Sequence, residues 1–301
     1  MKVLLQNYSS PLSTEPMYFY RCLNHAGIAT SLWSDPRTSA FDAFDMFKPD
    51  VFIGHWKFLT SDVVKYLSQN KSIQTALNVS FATQEDIEKI DQVLDSSSVS
   101  VDFLFTNQHE ALYKLKSKYK LVNIVPAADV FIPTDSSLKD WKNECAILST
   151  TPHEMFLEAC KNQEVYHKLC FGTQSDAFDI SVDIQSLPSL VPKYNKVFIV
   201  DDINIATSQV MFEVALRCSD INIKVPEKDT VLLGQVFASL FSEDKNEARM
   251  SDLVQKQIIR KHNCFKRTAR LARLFKNSEA AQTLEKTSEQ IGAETMEMNK
   301  Q

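Results

Sequence analysis

Strand-like and helix-like segments alternate along most of this chain, and the alternation constrains the fold more than any other feature. A short apolar strand followed by an amphipathic helix is typical of a parallel sheet covered by helices on both faces. The first half holds six strand candidates, which are KVLLQN, ATSLW, DVFIGHW, IQTALNVS, VDFLFTN and VNIVPAADVFIP. A second series of the same kind begins near Cys145. The sequence therefore predicts an α/β protein with two doubly wound, Rossmann-like domains.

A polar segment separates the two series and marks the predicted domain boundary. Residues 133–144, PTDSSLKDWKNE, begin with a proline and lack strand periodicity. We predict an N-terminal Rossmann-like domain over residues 1–132, a linker over 133–144 and a C-terminal Rossmann-like domain over 145–249. A basic helix over residues 250–276 is expected to cross back to the first domain, and residues 277–301 are expected to form a polar tail.

Composition excludes several classes of protein. The chain has 301 residues, of which 44% are hydrophobic, so it can bury a substantial core. No apolar run approaches the roughly 20 residues that span a bilayer, and the N-terminus does not resemble a signal peptide. The six cysteines show no metal-binding spacing. We therefore predict a cytoplasmic protein with reduced cysteines. Its net charge of -5 argues against a surface that is positively charged all over and binds nucleic acid.

The segment TSQVMFEVALRC, residues 207–218, follows the strand candidate KVFIVDDI and could form a nucleotide site. Thr207 or Ser208 can cap a helix whose first N–H groups and dipole favour a diphosphate. Glu213, about a turn and a half further along, could accept hydrogen bonds from ribose hydroxyls. The alternative is an ordinary capped helix with its apolar residues in the core.

Three polar residues follow strand candidates of the first half. The carboxyl ends of strands border the ligand crevice in doubly wound domains. Glu15 begins the first helical segment and His55 ends the third strand, and either could take a proton from an acceptor hydroxyl. Alternatively, Glu15 satisfies the helix dipole and His55 is structural. Asp129 lies at the predicted hinge, where it could contact a sugar or fix the linker.

Two further clusters of charge are notable. Asp201 and Asp202 could attract a cation, but no other acidic run converges with them, so we expect loop capping and no metal site. Eight basic residues and no acid occur between Gln255 and Lys276, and they are Lys256, Arg260, Lys261, Lys266, Arg267, Arg270, Arg273 and Lys276. Such a helix could contact DNA or an anionic membrane, or it could be a solvated helix that balances acids elsewhere.

Short motifs spread over nearly the whole chain resemble those of GT-B type glycosyltransferases, in particular CgeB-like, group 1-like and phage-type sugar transferases. The similar segments are Asp102–Asn107 with Tyr119 and Val125–Asp129, then Tyr194–Val197 with Thr207, Ser208 and Phe212–Ala215, and finally His262–Ala269. The resemblance implies that two Rossmann-like domains face a central cleft, with residues 1–132 as the acceptor domain and residues 145–249 as the nucleotide-sugar domain. It also implies transfer of a sugar from a nucleotide-diphosphate donor to a hydroxyl acceptor, without a metal or another cofactor.

The resemblance assigns roles to particular residues. Thr207, Ser208 and Glu213 would bind the donor, and Lys196 would offset the charge of the leaving group. His55 or Glu15 would be the catalytic base of an inverting reaction. The acceptor stays open between a hydroxylated base in DNA, a lipid-linked glycan and a protein.

The chain departs from the family pattern in its glycines. No glycine occurs between Gln6 and Glu15, and the whole chain has only five. Arg217, Cys218 and Ser219 stand where the family has a small residue. Glycine lets the backbone approach a phosphate closely, so these departures favour a second class of function. That class is a catalytically inactive, GT-B-like protein that binds a nucleotide or a partner.

Overall fold

The structure is a computed structural model, and it divides into two compact units. It describes residues 1–9, 13–34, 37–80, 84–96, 99–106, 115, 119–124, 127–131, 145–150, 154–162, 167–171, 176–200, 209–217, 220–224 and 258–298. The first unit comprises Met1–Ser9, Glu15–Val125 and Arg267–Glu285. The second unit comprises Ser10–Thr14, Pro126–Lys266 and Lys286–Gln301.

A six-stranded sheet forms the centre of the first unit. Its strands are β1 (Lys2–Gln6), β2 (Ala29–Trp33), β3 (Val51–His55), β4 (Gln74–Asn78), β5 (Phe103–Thr106) and β6 (Leu121–Asn123). All neighbours pair in parallel, in the order β2-β1-β3-β4-β5-β6. Every residue of β3 is buried, as expected for a central parallel strand that is covered on both faces.

Helices connect these strands. They are α1 (Glu15–His25), α2 (Ala40–Phe47), α3 (Ser61–Gln69) and α4 (Gln84–Ser96), with a 3₁₀ turn at Trp56–Phe58. Side-chain caps fix two of the starts, because the Asp42 N–H donates to Ser39 Oγ and the Val63 N–H donates to Thr60 Oγ1. The apolar face of α1 buries Tyr18 and Phe19, so this helix is held at the edge where β1 ends.

A five-stranded parallel sheet forms the centre of the second unit. Its strands are β7 (Cys145–Ser149), β8 (His167–Phe171), β9 (Ile180–Val182), β10 (Lys196–Val200) and β11 (Asp220–Lys224). They are ordered β11-β10-β7-β8-β9. The helices are α5 (Glu154–Asn162), α6 (Leu187–Leu190) and α7 (Gln209–Arg217), and a 3₁₀ turn spans Val191–Lys193.

The two parallel sheets confirm the predicted α/β class with two Rossmann-like domains. The predicted linker, residues 133–144, lies outside the described residues, and the predicted cleft stays a prediction. The described cysteines form no disulfide, and they are Cys22, Cys145, Cys160, Cys170 and Cys264. No helix of the described ranges is both long and apolar enough to cross a membrane.

The basic segment is not one continuous helix, and the prediction for residues 250–276 is wrong in this respect. Residues 258–261 are helical, and a new helix, α8 (Cys264–Leu274), then begins. The break arises because the backbone bonds to another segment: the Ala128 N–H donates to the His262 carbonyl at 2.9 Å, and the Cys264 N–H donates to the Ala128 carbonyl at 3.0 Å. Asn263 caps the new helix by accepting the Lys266 N–H at 3.0 Å. Residues 250–257 lie outside the described residues.

The predicted polar tail, residues 277–301, is instead largely a helix, α9 (Ser278–Met298). Asn277 Oδ1 accepts the Ala280 N–H at 3.0 Å and so caps its start. The sequence is rich in good helix formers such as alanine, glutamate and glutamine. Ala280, Ala281 and Leu284 are buried, so tertiary packing stabilises a segment whose composition had indicated only solvent exposure.

Candidate functional site

The strand order places a ligand crevice in the first unit at a defined position. The order of the strands reverses at β1. The second strand, β2, lies on one side of β1, and the third, β3, lies on the other side. In open parallel sheets, ligands bind outside the carboxyl ends of the strands at such a switch point. Tyr8, His55 and Asn78 lie at or just beyond the carboxyl ends of β1, β3 and β4. Glu15, at the start of α1, joins them.

Glu15 is the centre of a buried polar cluster. Its side chain is only 7% exposed. Tyr8 Oη donates to Glu15 Oε2 at 2.8 Å, and Asn78 Nδ2 donates to the same oxygen. Tyr18 Oη donates to Glu15 Oε1 at 3.3 Å. The prediction singled out Glu15 but missed Tyr8 and Asn78, whose only sequence signal is a polar side chain directly after an apolar strand.

Burial raises the pKa of Glu15 to about 7, although the hydrogen bonds from Tyr8, Asn78 and Tyr18 each lower it. The pKa of Tyr8 is raised well above its usual value, first by burial and then by the Glu15 charge. Tyr8 therefore stays protonated and can only donate to Glu15. A carboxyl group with a near-neutral pKa can both take up and release a proton under physiological conditions.

His55 occupies a different environment at the end of β3. Its Nδ1 accepts the Lys57 N–H at 3.2 Å, and its ring centroid lies 5.4 Å from that of Tyr8. Burial lowers the pKa of His55 to about 4, while a hydrogen bond to the Ser80 backbone raises it. The imidazole is therefore neutral near pH 7, and its Nδ1 lone pair is used to cap the turn at Trp56–Phe58.

Gln6 fixes the same turn from β1. Its Oε1 accepts the His55 N–H at 3.3 Å, and its Nε2 donates to the Phe58 carbonyl at 2.9 Å. Gly54 makes room for this side chain, because a Cβ there would lie 2.8 Å from Gln6 Oε1. Phe58 is 47% exposed on the turn. Gln6 was not among the predicted site residues, although a glutamine within an apolar strand was an available signal.

In the second unit the equivalent switch point lies between β7 and β10, and α7 begins beyond the carboxyl end of β10. Thr207 and Ser208, the predicted diphosphate cap, lie outside the described residues, as do Asp201 and Asp202. Gln209 is the first described residue of the helix and is buried. The structure therefore describes the predicted donor-binding segment from Gln209 onward, including Glu213.

Glu213 is completely buried, and its carboxylate bonds to the protein itself. Oε1 accepts the Asp129 N–H at 2.6 Å and Gln209 Nε2 at 3.1 Å, while Oε2 accepts Arg217 Nη1. Burial raises the pKa of Glu213, and the Arg217 guanidinium is the first of the groups that oppose this shift. Both carboxylate oxygens thus already have donors, so a ribose would have to displace one of them. Donor binding by Glu213 stays a prediction.

Gln209 extends this network to residues 13 and 14. Its Oε1 accepts the Thr14 N–H at 2.9 Å, and its Nε2 donates to Thr14 Oγ1 at 3.0 Å. All of these atoms are buried. The sequence analysis missed Gln209, although a lone amide at the start of an apolar helix could have drawn attention to it.

The structure places Asp129 and Lys196 away from exposed binding positions. Asp129 is completely buried, and its Oδ1 accepts the Phe131 N–H at 3.1 Å. Its role as a sugar contact or as part of a hinge stays a prediction. Lys196 begins β10 and so lies at the amino edge of its sheet, with Nζ 4.8 Å from the Phe198 ring centroid. The sheet therefore does not bring Lys196 together with Gln209 and Glu213. Its contact with a donor stays a prediction.

The basic residues of α8 divide into buried and exposed members. Arg267 is 8% exposed, and this burial lowers its pKa to about 10. Its contact with a polyanion stays a prediction. Arg270 and Arg273 are exposed, and Arg273 pairs with Glu285 at 2.5 Å. Arg260 and Lys266 are also exposed, Lys261 is half-buried, and Lys256 lies outside the described residues. Within the described ranges, no three His, Cys, Asp or Glu side chains are grouped to hold a metal.

Several solved structures are similar to this chain. No protein-family model and no curated protein matches this chain. S. aureus MnaA, solved with UDP, is 11% identical over 96% of this chain and 94% of its own, with a TM-score of 0.48. The UDP-GlcNAc 2-epimerase from Methanocaldococcus jannaschii is 10% identical over 91% and 99%, with a TM-score of 0.46. A DNA-modifying β-glucosyltransferase is 10% identical over 100% and 99%, with a TM-score of 0.45.

These neighbours have the GT-B fold. Each of the three is at most 11% identical to this chain. The candidate site therefore depends on the geometry of this chain alone.

Proposed function

We propose that this protein transfers a sugar from a nucleotide-diphosphate donor to a hydroxyl acceptor, with Glu15 as the general base. The observation that carries the proposal is a buried carboxyl group with a pKa of about 7 at the switch point of a parallel sheet. Structural histidines are common at strand ends, but a desolvated carboxyl group held by two tyrosines and an amide is an unusual arrangement.

The proposed chemistry uses Glu15 in its ionised form. Glu15 removes the proton of the acceptor hydroxyl while that oxygen forms a bond to the anomeric carbon of the sugar. The bond between the anomeric carbon and the diphosphate breaks, and the nucleoside diphosphate leaves with the electron pair. In this proposal the segment 207–218 would stabilise the charge of the leaving diphosphate.

Glu15 is the better candidate base than His55. His55 has a pKa of about 4 and uses Nδ1 to accept the Lys57 N–H, so it is a weak base with an occupied lone pair. Glu15 titrates near neutral pH, where the fraction of ionised base and its proton affinity are both substantial. We therefore assign His55 to the support of the 56–58 turn.

The exposed basic residues favour a polyanionic acceptor as the finer proposal. Arg260, Lys266 and Arg270 are exposed on or near α8, and a hydroxylated base within DNA would bring phosphates that such residues can contact. A lipid-linked glycan or a protein acceptor would not require them.

The first experiment is calorimetric titration with a panel of nucleoside diphosphates, followed by donor turnover with the nucleotide that binds. The Glu15→Gln variant should keep nucleotide binding and lose roughly 100- to 10,000-fold in turnover. Glu279→Gln, an exposed glutamate in α9, is the matched control and should be unaffected. Full activity of Glu15→Gln would overturn the assignment of the base.

One observation favours a second candidate function, a binding protein without turnover. The carboxylate of Glu213, which the family resemblance assigns to the ribose, is completely buried and bonded to Asp129, Gln209 and Arg217. Selective nucleotide binding without donor turnover, unchanged in Glu15→Gln, would support this candidate over the enzyme.

A further inference from the structure

Asn78, at the end of β4, bonds on one side to Glu15 and on the other to the backbone of Ser80. Its Nδ2 donates to Glu15 Oε2, and its Oδ1 accepts the Ser80 N–H at 2.7 Å. All three residues are buried. The end of the strand and its following turn thus hold one amide against the candidate base.

The orientation of this amide is fixed by its partners. The two ends of an asparagine side chain look alike in shape, so their assignment must come from the hydrogen-bond network. A backbone N–H can only donate, so the atom that faces Ser80 must be the carbonyl oxygen. The NH₂ group therefore faces Glu15 and must donate to it.

Two of the donors to Glu15 meet at the same carboxylate oxygen. Oε2 receives two donors, Tyr8 Oη at 2.8 Å and Asn78 Nδ2. Oε1 receives the longer bond from Tyr18 Oη, at 3.3 Å. Neither the amide nor a tyrosine with a raised pKa gives up its proton readily, so a proton bound at Oε2 would have to displace one of two donors.

We infer that Asn78 is a positioning residue that, together with Tyr8, occupies Oε2 of Glu15 and holds this carboxyl group in the ionised form that a base needs. This inference rests on the proposed function, because it names a residue that keeps the proposed base ready to take a proton. It also explains how a desolvated carboxyl group remains usable as a base. Each donor stabilises the ionised form and so opposes the effect of burial on the pKa.

Other titratable groups surround the cluster from every neighbouring element. Tyr8 follows β1, Tyr18 lies on α1 with Glu15, and the ring of His55, from β3, lies 5.4 Å from that of Tyr8. Arg267 of α8 interacts electrostatically with Tyr18, and Lys57 interacts with His55. These groups are unchanged when Asn78 is replaced, so a variant at this position isolates its contribution.

The test uses Asn78→Asp, which keeps an oxygen to accept the Ser80 N–H but removes the donor to Glu15. The two carboxyl groups would then share a proton, and the pair should hold that proton to a pH above the value of about 7 in the parent. Carbon-13 NMR of labelled carboxyl groups measures this titration without any need for activity. Asn70→Asp, whose amide donates to the Tyr66 carbonyl at the end of α3, is the matched control.

Activity provides the second measurement. The acidic limb of the pH profile of kcat/KM should move to higher pH in Asn78→Asp, with a loss at pH 7 on the order of tenfold and recovery at higher pH. The Asn70→Asp profile should match the parent. If Asn78→Asp does not fold, Asn78→Ala removes the same donor without adding a charge, and the Glu15 titration should again move upward.

The outcomes separate the inference from the proposed function. An upward titration of Glu15 without turnover in the parent supports the role of Asn78 and contradicts the proposed enzyme. Turnover in the parent with an unchanged Glu15 titration and an unchanged pH profile in both Asn78 variants overturns the role of Asn78 alone.

Discussion

Within the described ranges each unit buries one glutamate, Glu15 and Glu213, and the two carboxyl groups differ in what surrounds them. Glu15 in the first unit is held by two hydroxyls and an amide, whereas Glu213 in the second is held by a guanidinium, a backbone N–H and an amide. Burial raises the pKa of both. The donors to Glu15 are neutral, so its carboxyl group can gain or lose a proton. Arg217 is a cation, so it stabilises the ionised form of the Glu213 carboxyl group. Burial alone therefore does not mark a reactive carboxyl group.

The largest effect is expected from removing the counter-charge. We predict that Arg217→Leu lowers the free energy of unfolding by about 3 to 5 kcal/mol, because it leaves Glu213 buried and without its cation. Urea unfolding measures this change. The double variant Glu213→Leu with Arg217→Leu should recover most of the loss.

The control for that prediction is the exposed pair of Arg273 and Glu285. Arg273 is 57% exposed there, so Arg273→Leu should cost no more than about 1 kcal/mol. A cost at Arg217 as small as the cost at Arg273 would show that the two buried glutamates are not held differently.

The next effect concerns pH and Glu15. Its pKa rises from 4.5 to about 7 on folding, so the folded state binds more protons between these values, and the resulting stability is lost as pH rises. We predict that Glu15→Gln gains about 3 kcal/mol relative to the parent between pH 4.5 and pH 7.

The pH comparison must be made against the parent, because His55 acts in the opposite direction. Its pKa falls from 6.5 to about 4, so stability is lost as pH decreases through this range. The two contributions nearly cancel between pH 4.5 and 6.5 in the parent. Chemical denaturation across pH 4 to 8 would contradict the difference between the glutamates if the parent and Glu15→Gln curves ran parallel.

A smaller effect is expected at Gln209, which joins Glu213 to Thr14. Gln209→Met should lower the free energy of unfolding by about 1 to 3 kcal/mol, because the Thr14 N–H and Glu213 Oε1 each lose a buried partner. Thr14→Val, which removes only the hydroxyl, should cost less. Thermal unfolding of both variants tests whether the second network depends on its amide as well as on its ion pair.

The smallest effect is expected on the surface of α8. If DNA is the acceptor, Arg270→Gln should reduce the slope of log affinity against log salt by up to roughly 0.9, with little change in stability. Arg267→Gln should leave that slope unchanged, because Arg267 is 8% exposed, and should instead lower stability. If both substitutions reduced the salt slope equally, the distinction between a buried Arg267 and an exposed Arg270 would be contradicted.

Much of the fold could be predicted from the sequence because periodicity is a local property. The alternation of strands and helices determines a parallel sheet, and the position of Glu15 just after β1 follows from it. The break at Asn263 could not be predicted, because it depends on backbone bonds to Ala128, which is distant in sequence. The burial of Arg267 likewise depends on packing against distant parts of the chain, so the sequence wrongly suggested an exposed charge at this position.

The site was predicted less completely than the fold. Strand-end position identified Glu15 and His55, but the choice between them depends on partners that come from other strands. Asn78 and Tyr8 reach Glu15 from β4 and from beyond β1, and Lys57 occupies Nδ1 of His55. A pKa depends on such partners and on burial, neither of which a single segment of sequence reveals.

The assignment of Arg267–Glu285 to the first unit has a consequence for synthesis on the ribosome. Leu271, Phe275 and Leu284 are buried, and Phe275 lies 5.0 Å from Phe103 of β5 between ring centroids. At roughly 5 to 20 residues per second, the 141 residues between positions 125 and 267 take roughly 7 to 28 s to make. During that interval the nascent N-terminal sheet exposes the apolar surface that α8 and α9 later cover. The time for which this surface is exposed to chaperones therefore depends on translation speed. Slow codons in the second half would lengthen that time.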